Sequence, residues 1–175
     1  GSSKFFVEAL IDAGIQEQSK DRNEYVVKEI ISYHDEESGS DITVLPSDSY
    51  EVTAMVDFGT KILGTQNATM KNLSEFKDNF SNARTFSFLH EIEMLVDNGL
   101  IKGGDLNNAI VYVDKELDEE TMSKLKKAFN KDKISVKPNG ILDNLTLHYP
   151  NEAARHKLLD VVGDLALIGT RIKGK

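Results

Sequence analysis

Between Tyr50 and Phe58 the sequence YEVTAMVDF alternates without a break. Tyr50, Val52, Ala54, Val56 and Phe58 share one face of an extended strand, and Thr53 and Asp57 lie on the other. A strand of this kind belongs to a sheet with one covered face. The chain supplies a cover later on. NEAARHKLLDVVGDLALIG, from Asn151 to Gly169, reads as a long helix, with Pro150 favouring an extended entry and Asn151 placed as its N-cap. Leu158, Leu159, Val162, Leu165 and Ala166 recur at helical spacing and form a core stripe. His156, Asp160 and Asp164 form a second stripe on nearly the opposite side, so it is expected to point away from the domain's own core.

The other segments read as short alternating elements. Phe5, Phe6, Ala9, Leu10 and Ala13 define a first helix that Gly14 stops. NEYVVKEIISYH (residues 23–34) reads as a strand, DEESGS as a polar turn and DITVL as a strand ended by Pro46. After NATMKNL, a further strand, SEFKDNF is a short helix with Ser74 as N-cap. ARTFSF and NNAIVYVD are strands flanking a helix, HEIEMLVDNGL, that Gly99 would end, followed by a turn through Gly103 and Gly104. The charged helix from Asp118 to Lys133 carries Met122, Leu125 and Phe129 on one side and is expected to be peripheral. LTLHYP reads as a short strand before the long helix. The class is α+β: a two-layer antiparallel or mixed sheet with helices on one face. Such a domain ordinarily returns a strand after its last helix, so RIKGK reads as a cut end.

Net charge is −8, which disfavours nucleic acid or an anionic membrane as the main partner. No stretch approaches the roughly 20 apolar residues of a membrane span. No basic segment followed by an apolar one marks a signal peptide at the start. With no cysteine, thiolate metal sites and cysteine nucleophiles are excluded, a composition that fits a cytoplasmic protein. Any metal site must use His, Asp or Glu.

His156 and Asp160, at i and i+4, lie one turn apart. Imidazole and carboxylate both suit zinc, and the H-x-x-x-D spacing allows them to share one ion. The same spacing also describes an ordinary polar contact worth a few tenths of a kcal/mol. A catalytic zinc needs a third ligand and an open position, and His34, His90 and His148 are not placed by sequence to supply one.

Residues 83–111, ARTFSFLHEIEMLVDNGLIKGGDLNNAIV, resemble the zinc-dependent UDP-3-O-acyl-N-acetylglucosamine deacetylases of lipid A biosynthesis, and so do NEAARHKLLDVVGDLALIG, PSDSYEVTAMVDF and GSSKFFVEALIDAGI. That family has two α+β domains with the active site between them. The resemblance implies that residues 1–21 are the last helix of a first domain and residues 22–175 a second domain truncated at its C-terminus. The outward stripe would then face the missing domain.

The resemblance further implies that His156 and Asp160 are two of three Zn2+ ligands. The third, a histidine closely followed by the general-base glutamate, belongs to the first domain. Asp164 matches the partner of a catalytic histidine that lies beyond IKGK in the family. Thr85 matches an oxyanion-stabilising threonine, and Lys157 a lysine near the substrate's phosphates. Residues 86–111 resemble a strand–helix–strand insert that forms an apolar passage for the 3-O-acyl chain, with Phe86, Phe88, Ile92 and Leu106 as candidate lining. The alternative is that these residues simply pack the insert. Asp105 departs from the pattern, standing where a small hydroxyl residue is expected. In some bacteria the family is fused to a 3-hydroxyacyl-carrier-protein dehydratase. A fragment of this kind, lacking the general base and one ligand, should not turn over the UDP-linked substrate. The rival reading is a non-enzymatic module that binds an acyl group or a protein. Convergence of Thr85, His156, Lys157, Asp160 and Asp164 favours the deacetylase; scattering favours the module.

Overall fold

The computed structural model describes residues 1–98, 108–143 and 145–175. Gly99, Gly103, Gly104, Asp105 and Leu106, singled out above, lie outside the described residues. The chain opens with helix α1 (Lys4–Asp12), closed by Gly14 at φ +90°. Strands β1 (Glu24–Val26), β2 (Ile31–Asp35), β3 (Ser40–Val44), β4 (Val52–Val56) and β5 (Gln66–Met70) follow. Next come α2 (Phe76–Asn79), β6 (Thr85–Phe88), α3 (Leu89–Asp97), β7 (Ala109–Tyr112), α4 (Glu119–Phe129), α5 (Glu152–Ala166) and β8 (Arg171–Lys173). The class is α+β, as expected.

The strands pair in twos. β2–β3 and β4–β5 are antiparallel hairpins; β1–β8 and β6–β7 are parallel. A parallel bridge between Tyr50 and Gly174 joins β8 to the start of β4, giving one mixed run β1–β8–β4–β5. RIKGK is therefore itself the strand that returns after the last helix. The run 23–34 is not one strand: β1 takes β8 as partner while β2 turns away to pair with β3.

The alternation in β4 orients as read. Val52, Ala54 and Val56 are buried with Ala68 and Met70 of β5, beneath Phe80 and the Ala154 and Leu158 of α5. Burying a leucine or methionine side chain contributes roughly 1.5–3 kcal/mol, so this layer anchors α5 to the sheet. The other flank of α5 is covered too. Ala153 packs with Leu63, Phe88, Ile110, Tyr112 and Ile141. Ala153 and Ala154, adjacent in sequence, thus enter two different apolar clusters, and their small side chains let both bodies approach the helix closely. The first half of α5 is wedged between the sheet and the insert, whereas Leu165 is half-buried and Ala166 exposed.

The insert is a strand–helix–strand unit, β6–α3–β7, with β6 and β7 parallel in register Thr85–Ala109 to Phe88–Tyr112. Helix α4 is not peripheral. Its Leu125 is fully buried against Leu89, Ile92, Val111, Val113 and Leu142, because the apolar stripe of α4 covers α3. Ser74 caps no helix: Asn72 caps the short 3-10 turn Leu73–Glu75 that leads into α2, its side chain accepting the Ser74 N–H at 2.9 Å. LTLHYP forms no strand among its described residues. Its backbone is taken by side chains instead: Lys137 Nζ donates to the Leu145 carbonyl, Arg84 to that of Thr146, and the His148 N–H donates to Glu152.

The turn just before Ile141, which bridges to Tyr112 of β7, needs its glycine. Gly140 sits at φ +77°, and a Cβ there would lie 2.7 Å from Ile62 Cγ2. Gly140→Ala is expected to cost about 1–3 kcal/mol in urea denaturation, through left-handed strain and the clash together. An unchanged midpoint would show that the turn relaxes freely.

Candidate functional site

The site is built on α5 and on the segment that leads into β6. Asn151 occupies the N-cap position, but its side chain does not cap. Its amide donates to the Asn67 carbonyl (2.7 Å), and its Oδ1 accepts from Arg155 Nε (2.9 Å). Arg155 in turn lies over the Tyr149 ring at 4.1 Å and donates to the Asn79 carbonyl, fixing the first turn against α2.

His156 is 8% exposed, not solvent-facing as its stripe suggested, because the segment before β6 lies over it. Its Nδ1 is 3.0 Å from the Ala83 carbonyl oxygen. A carbonyl only accepts, so Nδ1 carries the hydrogen, and in the neutral form of the ring the lone pair falls on Nε2. That Nε2 stands 3.6 Å from Asp160 Oδ1. The separation is too long for a hydrogen bond. It suits two donors of one ion: ligands about 2.1 Å from a tetrahedral zinc stand roughly 3.4 Å apart. A carbonyl behind the far nitrogen is also the usual support of a metal-binding histidine. Among the described residues no group of three or more His, Asp or Glu could hold a metal, so α5 presents a pair of donors and not a complete site.

Lys157 Nζ lies 3.2 Å from Asp160 Oδ2 and 5.6 Å from the Phe86 ring centroid. Thr85 is half-buried; its N–H donates to the Gly1 carbonyl (3.0 Å), and its hydroxyl makes no hydrogen bond among the described residues. It lies two residues beyond the Ala83 carbonyl that holds His156. His156, Lys157 and Asp160 thus lie together on α5, and Thr85 enters β6 just beyond the residue whose carbonyl meets His156. Asp164 lies one turn further along α5, exposed, its carboxylate without a hydrogen bond or ion pair among the described residues.

Phe86 heads an aromatic wall. Its ring meets Phe58 at 5.5 Å, Phe88 at 6.3 Å and Tyr112 at 6.0 Å between centroids. Phe58, at the end of the alternating strand run, was legible only as a core-face residue; it is exposed and extends this wall. Phe88 is buried within the wall, and Ile92 lies in the insert's own core against α4. Burial, together with the Glu152 charge, pushes the Tyr112 phenol up to about 12, so it remains a neutral member of the wall.

The other histidines are engaged elsewhere. His34 meets Asp41 at 2.8 Å on the exposed β2–β3 hairpin. His90 pairs with Asp114 on the insert, and His148 Nδ1 meets the Asn82 carbonyl at 3.0 Å.

Sequence reading missed a buried ion pair. Glu152, fully buried in the first turn of α5, receives Arg84 Nε (2.8 Å) and Nη2 (3.0 Å) and the backbone N–H groups of Arg84 (3.0 Å) and His148 (2.7 Å). Burial pushes its carboxyl pKa up, but the Arg84 and His148 hydrogen bonds and the Arg84 charge outweigh this and hold it below the usual value. The only local hint is a glutamate at a helix N-terminus, where the dipole favours it.

The α+β scaffold thus carries a helical His–Asp pair with a lysine beside it, close to an aromatic wall. The model of the LpxC family, UDP-3-O-acyl N-acetylglycosamine deacetylase, matches residues 1–134 and 120–175. A bifunctional enzyme LpxC/FabZ of Chlorobaculum tepidum is 46% identical over 100% of this chain and 38% of its own length. A bifunctional enzyme LpxC/FabZ of Bacteroides thetaiotaomicron is 41% identical, again over 100% and 38%. A UDP-3-O-acyl-N-acetylglucosamine deacetylase of Geotalea uraniireducens is 35% identical over 99% of this chain and 48% of its own. The chain belongs to the UDP-3-O-acyl N-acetylglycosamine deacetylase family and spans less than half the length of these relatives.

Proposed function

We propose that this chain is the second domain of a zinc-dependent deacetylase that removes the N-acetyl group from UDP-3-O-acyl-N-acetylglucosamine in lipid A biosynthesis, in the cytoplasm. Residues 1–21 would be the last helix of the first domain and residues 22–175 the second, truncated at its C-terminus. The exposed apolar face of α1, with Phe5 72% and Phe6 75% exposed, supports a domain packed there in the parent. Among the described residues no helix is long and apolar enough to cross a membrane. The bifunctional relatives support a parent that also carries the expected dehydratase downstream.

His156 Nε2 and Asp160 Oδ1 supply two ligands, and the missing domain the third ligand and the general base. When bound, zinc polarises the amide carbonyl and activates water. Thr85 offers its free hydroxyl to the oxygen on which negative charge develops. Lys157, which pairs with Asp160 in this chain, would meet the substrate's phosphates. Asp164, unpaired among the described residues, would partner the family's further histidine. Phe86, backed by Phe88 and edged by Phe58, gives the acyl chain an apolar wall, while Ile92 supports it from within the insert.

The observation that carries this reading is the His156–Asp160 pair, too far apart to hydrogen-bond and spaced for a shared ion. A binding module has no reason to lock that tautomer. Zinc titration of the full-length parent by calorimetry, with His156→Ala beside it, tests the reading. One zinc per chain, lost in the variant, is expected. Equal binding by both proteins refutes the assignment. This chain alone is expected to bind zinc far more weakly than the parent and to release no acetate, since two donors make an incomplete site.

A further inference from the structure

Three consecutive residues, 82–84, are tied to α5 or to the segment that enters it. The Asn82 carbonyl accepts from His148 Nδ1, and its side chain from the Tyr149 hydroxyl (2.9 Å). The Ala83 carbonyl accepts from His156 Nδ1. Arg84 grips Glu152 through its backbone and both ends of its guanidinium fork, and reaches on to the Thr146 carbonyl at 2.7 Å. Thr85 follows, its hydroxyl without a hydrogen bond among the described residues. The grip joins residues 68 apart in sequence, and Glu152 lies one turn before His156 on the same face of α5. The carbonyl that selects the His156 tautomer belongs to the residue next to Arg84.

The geometry points to Arg84 and Glu152 as positioning residues of the site. Their pairing holds the Ala83 carbonyl against His156, so that Nε2 is kept free of hydrogen, and it sets the place of Thr85 beside the same helix. The planar fork matters as well as the charge: only a guanidinium can bind both carboxylate oxygens and the Thr146 carbonyl at once. A lysine keeps Glu152 neutralised but holds it at one point, leaving the segment free to shift. This inference rests on the proposed zinc role only for what the tautomer is used for; the tautomer itself is a property of this chain.

The test is long-range proton–nitrogen NMR of this chain with labelled histidine, at a pH of about 8, well above the ordinary imidazole pKa. The His156 signal is assigned by its loss in His156→Ala. The unaltered chain is expected to show His156 in the Nδ1–H form alone. Arg84→Lys is expected to show a several-fold rise in the Nε2–H form, with its melting temperature lowered by only a few degrees. Should Arg84→Lys fail to fold, Arg84→Met/Glu152→Gln removes both charges together and is read in the same way. In the parent, Arg84→Lys is expected to weaken zinc about 10–100-fold.

A pair that only stabilises the fold would lower the melting temperature and leave the tautomer alone. Retention of a pure Nδ1–H ring in the variants therefore overturns the inference, as does an Nε2–H ring in the unaltered chain. Unchanged zinc affinity in an Arg84→Lys parent whose zinc depends on His156 overturns it as well. If the parent's zinc does not depend on His156, the zinc assignment falls, and the tautomer shift still supports the positioning role.

Discussion

Glu152→Ala is expected to destabilise this chain by about 3–5 kcal/mol, a large share of the roughly 5–15 kcal/mol that holds a domain together. Three losses coincide. The Arg84 guanidinium, nearly buried, is left charged with no counter-ion. The N–H groups of Arg84 and His148 lose their acceptor. The first turn of α5 loses the negative charge that suits its dipole. Urea denaturation measures the effect, with Glu120→Ala as control. Glu120 is 79% exposed and pairs with Lys124 one turn away, so its loss should cost no more than about 0.5 kcal/mol. A Glu152→Ala cost as small as that of the control would show that Arg84 finds water.

The same pair gives an acid signature. The folded pKa of Glu152 lies below its ordinary value of 4.5. The folded state therefore binds its proton less readily than the unfolded chain does. Its contribution is complete above about 4.5 and disappears as pH falls through the depressed folded value. Glu152→Gln should be less stable than the unaltered chain at neutral pH, and the gap should narrow on acidification below about 4.5. A gap constant with pH would mean that burial alone, and no charge pairing, sets the difference.

What could be read from the sequence and what could not follow one physical line. The strand 52–56 and its buried face were legible because alternation is local, and the glycine stop of α1 was legible for the same reason. The face of α5 against β4 and β5 was legible as far as Leu158 and Val162. Its other flank was not, because nothing in residues 151–169 announces that the segment before β6 will lie over His156. The outward reading of that stripe therefore failed at His156 and held at Asp164. LTLHYP has a strand's composition, but its backbone groups are claimed by Lys137, Arg84 and Glu152, and that competition is visible only in three dimensions. Leu125 looked like the stripe of a peripheral helix because the helix it covers lies in another part of the chain. The candidate residues on α5 were proposed from sequence through spacing and resemblance, whereas the Arg84–Glu152 pair joins distant residues and carries no motif.

Thr85→Val in the parent is expected to lower kcat about 10²–10³-fold while leaving zinc content and KM near their original values. The substitution keeps the side chain's shape and removes one hydroxyl. That hydroxyl has no partner among the described residues, so the variant loses no internal hydrogen bond of the fold, and its stability should change little. A turn or capping threonine would already be engaged with the backbone; Thr85 is not. If Thr85 acts as proposed, its hydroxyl meets charge that appears only as the amide carbonyl becomes tetrahedral, so the loss should fall on kcat. Lys157→Ala should behave in the opposite way. The phosphate proposed to meet its ammonium is charged in substrate and transition state alike, so KM should rise with kcat largely kept. Steady-state kinetics on the two variants separates these roles. If Thr85→Val raises KM and spares kcat, its hydroxyl binds substrate and does not stabilise the oxyanion, and the stabilising charge must come from the metal and the missing domain.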